Sequence, residues 1–257
     1  MIYKIITNLY RLKNRLRNFF LKPTVVLFYH RVAKVNDDPH LLSVSPENFE
    51  KQLTYLRNNF KILRLKELVH DLQSKRLTRG SIVITFDDGY VDNFVNALPI
   101  LEKLQIPVTV FITAGKIGSS EPFYWDKNTD KRDQGRAMTI EELKNIVKSP
   151  LVEIGAHTMT HPHLATLATE KQRYEIEESK KILENILGTP ITSFSYPFGG
   201  REDFNDETMK IVKQAGFNVA CATIMGNVKN NSPLFAMPRR IVRNWDISTF
   251  KNYIKSL

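Results

Sequence analysis

From residue 24 onwards, short continuous apolar runs alternate with longer stretches whose apolar residues have helical spacing. The runs are rich in Val, Ile, Thr, Phe and Tyr, which is typical of strands buried in a parallel sheet. They are residues 24–30 (TVVLFYH), 81–86 (SIVITF), 108–113 (VTVFIT), 152–156 (VEIGA), 192–196 (TSFSY) and 217–221 (FNVAC). The alternation predicts a single barrel-like α/β domain in which helices wrap a parallel sheet.

Helix-start signals mark several of the stretches between these strands. Ser45 precedes Pro46, and Thr139 is followed three residues later by Glu142, the spacing of a capping box. Two further predicted helices cover about residues 91–104 and 169–187. Residues 118–137 are polar and charged without clear periodicity, so we expect an excursion over the sheet there.

The first 22 residues follow a different pattern. Their apolar residues recur every three or four positions, which predicts one helix with an apolar face and a basic face. The apolar positions are Ile2, Ile5, Ile6, Leu9, Leu12, Leu16, Phe19 and Phe20, and the basic ones are Lys4, Arg11, Lys13, Arg15, Arg17 and Lys22. This pattern is typical of a helix at a membrane surface, and equally of a helix packed on the domain. We therefore divide the chain into an amphipathic helix, 1–22, and a domain, 23–257.

Composition narrows the function classes. The net charge is +10, and six of the excess positive charges lie in the first 22 residues, so the domain itself is only mildly basic. Because the domain is only mildly basic and has no nucleic-acid recognition motif, a nucleic-acid role is excluded. The first 22 residues contain neither the continuous apolar core of a secretory signal nor an apolar stretch long enough to span a bilayer. The single cysteine cannot form an internal disulfide, and we expect a cytoplasmic protein that contacts the inner membrane face peripherally.

The candidate chemistry lies where predicted strands end. The run 81–86 leads directly into Asp87 and Asp88, at the end of a parallel strand where α/β folds place their active sites. Two adjacent carboxylates repel each other, and a metal ion would separate their tasks by binding one and leaving the other as a base. Taken alone, Asp-Asp-Gly is as typical of a capped turn.

A second strand end supplies imidazoles. The run 152–156 leads to His157, and His161 follows four residues later, a spacing that places both rings on one side of a helical turn. With Asp88, they form a three-residue ligand set with positions open for water and substrate. His163 follows too closely to join, and we expect it to be a bystander.

Residues 85–89 (TFDDG) and 157–164 (HTMTHPHL) resemble the first two motifs of the polysaccharide deacetylases, carbohydrate esterase family 4, also called the NodB-homology family. The resemblance covers roughly residues 24–257. It implies a distorted (β/α)7-type barrel and metal-dependent removal of N-acetyl groups from an amino sugar, in a polysaccharide or a lipid-linked glycan.

The resemblance also implies the roles of the site residues. Asp87 would be the general base, while Asp88, His157 and His161 would hold one divalent metal ion. Zinc is the metal that the family suggests, and cobalt, nickel or iron would also suit these ligands.

The third motif is altered. The family often has Arg-x-Pro-aromatic, whereas this chain has residues 195–199 (SYPFG). The resemblance makes the main-chain amide of Phe198 the oxyanion donor and places Tyr196 and Pro197 beside the substrate. Ser195 cannot replace the family's arginine, which orients the base. Arg239 is a candidate substitute, and it could equally belong to a basic pair on the surface.

The general acid is displaced along the chain. The family places it on a histidine near the C-terminus, but no histidine follows His163. Residues 24–30 form an apolar strand that ends in His30, and the first and last strands of a closed barrel are neighbours. This resembles the circularly permuted deacetylases of poly-N-acetylglucosamine, so we expect His30 to protonate the leaving amine; a structural histidine is the alternative. Trp245 and Trp125 could stack on a sugar ring or pack in the core.

Two other functions stay open on this reasoning. The same metal site could hydrolyse a formyl amide or an O-acetyl ester, because fold and metal determine the chemistry better than the substrate. Alternatively, Ser195 and the missing C-terminal histidine could mark a non-catalytic carbohydrate-binding protein.

Overall fold

The computed structural model describes residues 22–132 and 134–257. The predicted amphipathic helix therefore lies outside the described residues, apart from Lys22, and stays a prediction. Within the described part of the chain, no helix is both long enough and apolar enough to cross a bilayer.

The described residues form ten strands, and eight of these make up one parallel sheet. The strands are β1 Val25–Tyr29, β2 Arg31–Val32, β3 Ser43–Val44, β4 Lys61–Leu63, β5 Ser81–Phe86, β6 Val108–Ile112, β7 Val152–Ala156, β8 Ser193–Ser195, β9 Val219–Cys221 and β10 Arg240–Ile241. The sheet order is β10-β1-β5-β6-β7-β8-β9, with β4 also paired to the first half of β5, while β2 and β3 form a separate pair. All six strands predicted from the apolar runs are present.

The sheet curls so that its two ends meet. The amide of Met237 donates to the carbonyl oxygen of Ala220 at 2.8 Å, and the amide of Ala222 donates to that of Met237 at 2.9 Å. Met237 leads into β10, where Arg240 is in register with Leu27 of β1. The distorted (β/α)7-type barrel in a single domain is therefore confirmed. The first and last strands are neighbours, as the permuted order of motifs requires.

Seven α-helices from the described part of the chain cover the sheet: α1 Pro46–Asn59, α2 Leu65–Gln73, α3 Leu98–Leu104, α4 Ile140–Ile146, α5 Thr169–Leu187, α6 Asp206–Gln214 and α7 Ile247–Lys255. The predicted caps are present, since Ser45 accepts from the amide of Asn48, and Thr139 and Glu142 form a capping box. The stretch 91–104 is helical throughout, as predicted, but its hydrogen-bond pattern changes from a π-helical turn at Asn93–Ala97 to the α-helical pattern of α3. Pro99 explains the change, because its nitrogen cannot donate a helical hydrogen bond.

The central strands are buried on both faces. Every side chain of β1 and β5 is buried between the interior of the barrel and the surrounding helices. Cys221 is also fully buried at the end of β9. Because all the paired strands of the main sheet are parallel, their carboxyl ends meet at one end of the barrel, and the candidate residues follow those ends.

Candidate active site

A cavity of about 320 Å³ opens at the carboxyl ends of the strands. Its lining residues are His30, His40, Leu42, Asp87, Asp88, Tyr124, Trp125, His157, His161, Phe198 and Thr223. The cavity thus brings together the ends of β1, β5 and β7, the third motif after β8, and part of the excursion 118–137.

Asp88, His157 and His161 meet at the bottom of this cavity. Oδ1 of Asp88 lies 3.5 Å from Nε2 of each histidine, and all three side chains are buried. Nδ1 of His157 contacts the carbonyl oxygen of Ser195 at 2.7 Å, which directs Nε2 of the same ring at Asp88. A main-chain partner of this kind is what orients a metal-binding imidazole.

The donor atoms of these three residues fit a divalent metal ion. One atom from each lies within 4.8 Å of the others. Oδ1 of Asp88 is buried and has no hydrogen-bond partner among the described residues. Burial lowers the pKa of His161 to about 4, so its ring is neutral at pH 7, the form that binds metal. A buried carboxylate oxygen without a partner is costly unless a cation completes the site.

Several residues of this end of the barrel have left-handed backbone. φ is +74° at Asp88, +65° at Thr158, +64° at His161 and +59° at Phe198. Non-glycine residues rarely adopt such angles, and they persist where the surrounding structure over-determines them, often at active sites. Gly89, with φ +81°, is required as glycine because a Cβ there would lie 2.8 Å from the side chain of Ile112. The sequence patterns did not predict these angles.

Asp87 faces an arginine instead of the histidines. Nη1 of Arg239 donates to Oδ1 of Asp87 at 2.8 Å, and Nη2 donates to Oδ2 at 2.7 Å. The guanidinium also donates to the hydroxyls of Ser195 and Thr85, at 2.8 and 3.2 Å, and to the carbonyl oxygen of Ala222 at 3.0 Å. Arg239 is fully buried, so it is not part of a surface basic pair.

This contact sets the charge of Asp87. Burial opposes its ionisation, but the charge and hydrogen bonds of Arg239 outweigh burial and hold the pKa of Asp87 well below its ordinary value. Asp87 is therefore ionised at neutral pH. The small Ser195 side chain accepts one hydrogen bond from this arginine, which lies in the segment directly before β10.

His30 lies at the end of β1, beside the two aspartates at the end of β5. The side-chain amide of Asn93 donates to the carbonyl oxygen of His30 at 2.9 Å, and the imidazole lies edge-on to Phe28. Burial lowers the pKa of His30, while Asp88 and Asp87 oppose that shift. His30 thus shares the cavity with the candidate base and the candidate metal ligands.

The third motif is only partly exposed to the cavity. Phe198 lines it, and the Phe198 ring stacks on His163 with centroids 3.7 Å apart. Tyr196 is fully buried, stacks on Phe204 at 4.0 Å and donates its hydroxyl proton to the carbonyl oxygen of Phe235. The prediction that Tyr196 contacts substrate is corrected, because its side chain is part of the core. Pro197 is likewise buried, and it does not line the cavity.

The two tryptophans lie in different places. Trp245 packs on Tyr253 of α7 with centroids 4.6 Å apart, and its carbonyl oxygen accepts from Gln52 of α1. It is not among the residues lining the cavity, so its role in substrate binding stays a prediction. Trp125 lines the cavity, with its ring centroid 4.6 Å from that of His161.

The excursion 118–137 is anchored over the cavity by a polar chain. Nε1 of Trp125 donates to the hydroxyl of Tyr90 at 2.8 Å, and that hydroxyl donates to Oδ2 of Asp126 at 2.7 Å. Tyr90 follows the aspartate motif directly, so the wall that Trp125 forms is tied to the strand end carrying Asp88. The sequence patterns also did not point to Tyr124, His40 or Leu42, which lie on loops without a recognisable motif.

Comparisons with known proteins agree with this geometry. A family model described as "Polysaccharide deacetylase" matches residues 74–220. YxkH of Bacillus subtilis, named for the same family, is 29% identical over 235 residues, which is 90% of this chain and 76% of that protein. A poly-beta-1,6-N-acetyl-D-glucosamine N-deacetylase of Staphylococcus aureus is 27% identical over 252 residues, 90% of this chain and 81% of that protein.

Solved structures share the fold. The Streptococcus pyogenes deacetylase PplD, in complex with acetate, superposes with a TM-score of 0.76 at 21% identity and covers 90% of this chain and 98% of its own. IcaB from Ammonifex degensii superposes with a TM-score of 0.74 at 24% identity, with 91% and 96% covered.

Proposed function

The chain belongs to the polysaccharide deacetylase family, and we propose that it hydrolyses the N-acetyl groups of an amino-sugar polymer. The observation that carries this proposal is the pair of adjacent carboxylates with separate partners in one cavity, Asp87 on Arg239 and Asp88 facing two histidines. The similarity to the Staphylococcus aureus deacetylase supports a polymer of N-acetylglucosamine as the substrate class.

Asp88, His157 and His161 would hold one divalent ion, for which we propose zinc, with cobalt, nickel or iron as metals that the same ligands accept. Such an ion, when bound, polarises the acyl oxygen and the attacking water. With three protein ligands, such a site would remain open to water and substrate.

Asp87 is proposed as the general base. Its carboxylate takes a proton from the water that attacks the acyl carbon, and Arg239 keeps it ionised and fixes its direction. The bidentate contact prevents the carboxylate from rotating towards the histidines. The orienting arginine is thus supplied by the segment before β10, and Ser195 accepts a hydrogen bond from it.

The remaining steps fall to Phe198 and His30. We assign the main-chain amide of Phe198 as a donor to the oxyanion that forms when water adds to the acyl carbon. His30 protonates the amide nitrogen as the carbon–nitrogen bond breaks, giving the free amine and acetate. The rings of Trp125 and Phe198 offer apolar surfaces for a sugar ring at the opening of the cavity.

We propose that the basic segment 1–22 contacts the cytoplasmic face of a membrane peripherally. The support comes from the sequence, which combines an apolar stripe with six basic residues. Sedimentation with anionic vesicles tests this, since deleting residues 1–21 should abolish binding. Equal binding of both forms, or none by either, contradicts the proposal.

Acetate release from N-acetylglucosamine oligomers by metal-loaded protein tests the proposed reaction. We expect activity in the parent, loss of it in Asp87→Asn and His161→Ala, and a strong reduction in His30→Ala. A parent that binds metal stoichiometrically but releases no acetate would overturn the substrate assignment. Formate from N-formyl sugars, or acetate from O-acetylated xylan, would then identify the alternative reaction.

A further inference from the structure

The turn from Thr158 to His161 carries the second histidine in a strained conformation. Both end residues have left-handed backbone, with φ of +65° and +64°. The strain lies directly beside the ring that faces Asp88, so whatever stabilises this turn also sets the position of the His161 imidazole.

Glu175, on the second turn of α5, holds the middle of the turn. Its Oε2 accepts from the amides of Met159 and Thr160 at 2.9 and 2.8 Å, and its Oε1 accepts from the Thr160 hydroxyl at 2.7 Å. Glu175 is only 7% exposed. Hydrogen bonds to an ionised acceptor are stronger than neutral ones, and both carboxylate oxygens of Glu175 are committed to this turn.

Three other main-chain groups of the turn are held by neutral partners. The amide of His161 donates to Oγ1 of Thr158, while the carbonyl oxygens of Thr158 and Met159 accept from the amides of Ala114 and Gly115. Gly115 is needed there, because a Cβ would lie 2.5 Å from the carbonyl oxygen of Met159. Of these hydrogen bonds that the turn makes with described residues, those to the carboxylate of Glu175 are the charged ones.

We propose that Glu175 is a positioning residue, which holds the Thr158–His161 turn so that Nε2 of His161 points at the metal site. This inference rests on the proposed metal site. It concerns a residue that no motif indicates, 14 positions beyond His161 and on a different element. The hydrogen bonds of Glu175 go to Met159 and Thr160 rather than to the candidate ligands, so it acts through the two amides that precede His161.

Glu175→Gln tests this with a nearly isosteric change. The glutamine oxygen can keep part of the contact, but its NH₂ group cannot accept from an N–H donor. Glu177→Gln is the matched control, because Glu177 lies on the same helix, is exposed and pairs with Arg173. Both changes convert Glu to Gln, two residues with similar helix propensity, so an effect of charge on α5 alone would appear in both.

The readouts are metal affinity, by competition with a chelator, and the visible absorption spectrum of the cobalt-substituted protein. We expect Glu175→Gln to weaken metal binding by about 10–100-fold, the usual effect of losing a partner of a metal ligand. Its cobalt spectrum should change, because the geometry around the ion depends on the direction of the His161 ring. Glu177→Gln should match the parent in both, and unfolding in chelator should show that both variants are folded.

Parent-like affinity and an unchanged cobalt spectrum in Glu175→Gln would overturn the proposal. If that variant does not fold, Thr160→Val decides, since it removes only the hydroxyl contact to Glu175 and should weaken metal binding in the same direction to a smaller extent. Parent-like binding in that variant would then contradict the proposal. The readouts need no substrate, so a parent that binds metal but deacetylates nothing refutes the proposed function and leaves this inference standing.

Discussion

Two adjacent aspartates in one cavity have opposite surroundings. On the arginine side, formed by Asp87, Ser195 and Arg239, both carboxylate oxygens accept hydrogen bonds at 2.7–2.8 Å. On the histidine side, formed by Asp88, His157 and His161, Oδ1 of Asp88 accepts no hydrogen bond from any described residue and faces two imidazoles at 3.5 Å. Both aspartates are almost fully buried, with 3% and 2% exposed.

The difference shows how one fold separates the tasks of two identical side chains. The arginine side is complete within the protein, because a guanidinium neutralises the charge and fixes the carboxylate. The histidine side needs a cation from outside to compensate its buried oxygen. Partners from other strands, rather than the aspartates themselves, thus determine which carboxylate is the base and which the ligand.

Replacing Asp87 by Asn should have the largest effect. Asparagine keeps the shape and one acceptor for Arg239 but cannot take a proton from water, so we expect acetate release to fall by about 10²–10⁴-fold. The metal content should remain that of the parent, since the histidine side is untouched. Activity and metal content measured on the same preparation test both halves of this expectation.

Asp88→Asn provides the opposite case. It should lose bound metal together with activity, because the carboxylate charge on the histidine side is gone. If both variants lost metal equally, or if Asp87→Asn stayed active, the separation of tasks between the two aspartates would be refuted.

Replacing Arg239 by Met should cost stability as well as activity. Removing one partner of a buried ion pair leaves an uncompensated charge, which destabilises by about 3–5 kcal/mol. Urea unfolding at pH 7 should show this loss. The difference from the parent should shrink as the pH falls below the ordinary pKa of an aspartate. Arg239 holds the pKa of Asp87 low. The ion pair therefore stabilises the folded protein at pH values above the ordinary pKa of an aspartate, and this stabilisation is lost as the pH falls below it.

Arg240→Met is the control for this change, since Arg240 follows directly in the chain but bonds to the side chain of Asn227. It should leave the pH dependence of stability close to that of the parent. Equal losses of stability in both variants would mean that Arg239 contributes only as a packed side chain.

Metal removal should affect stability through the histidine side alone. With free metal at a hundred times its dissociation constant, binding stabilises the folded state by about 2.7 kcal/mol. Adding a chelator should therefore lower the melting temperature of the parent by several degrees and leave that of His161→Ala unchanged. A chelator effect of the same size in His161→Ala would place the metal elsewhere.

A smaller effect should distinguish the two tryptophans. Trp125 lines the cavity, whereas Trp245 packs on Tyr253, so Trp125→Leu should raise KM several-fold, corresponding to about 1 kcal/mol of aromatic contact. Trp245→Leu should leave KM unchanged and lower only stability. KM values of both variants for the same oligomer test this prediction. A raised KM for Trp245→Leu would contradict the assignment of substrate contact to Trp125 alone.

The strands and their ends were predictable because parallel strands leave a strong local pattern. The run of β5 is buried at every position and that of β7 at most positions, and Asp87, Asp88 and His157 directly follow these runs. β4 and β10, at three and two residues, are too short to leave a pattern of their own. Helices α2, α6 and α7 were also not named from the sequence, although Asn205 caps α6 and Asp246 caps α7.

Side-chain direction and tertiary contacts were harder to predict. Tyr196 and Phe198 are neighbours in one motif, but Tyr196 turns into the core, while the left-handed backbone of Phe198 leaves its ring partly exposed. Neither the wall formed by Trp125 nor the Glu175 contacts leave a signal in local sequence, since both depend on how separate elements pack. The bidentate contact of Arg239 with Asp87 spans 152 positions of the chain.

The exposed ion pair between Arg136 and Glu142 should have the smallest effect on stability, although its bidentate geometry is the same as that of Arg239 with Asp87. Arg136 contacts both carboxylate oxygens of Glu142 at 2.7 Å, but their side chains are 42% and 20% exposed, against 0% and 4% for Arg239 and Asp87. The hydrogen bonds from Arg136 lower the pKa of Glu142 to about 2, so the contribution of the pair to stability exists above the ordinary pKa of a glutamate and disappears as the pH falls towards 2.

Solvent screening reduces the contribution of this exposed pair, and Glu142→Gln should cost about 1 kcal/mol at pH 7 and much less at pH 3. Urea unfolding at both pH values measures it, with the exposed Glu141→Gln as control. A loss as large as that of Arg239→Met would mean that contact geometry, rather than burial, makes the arginine side strong.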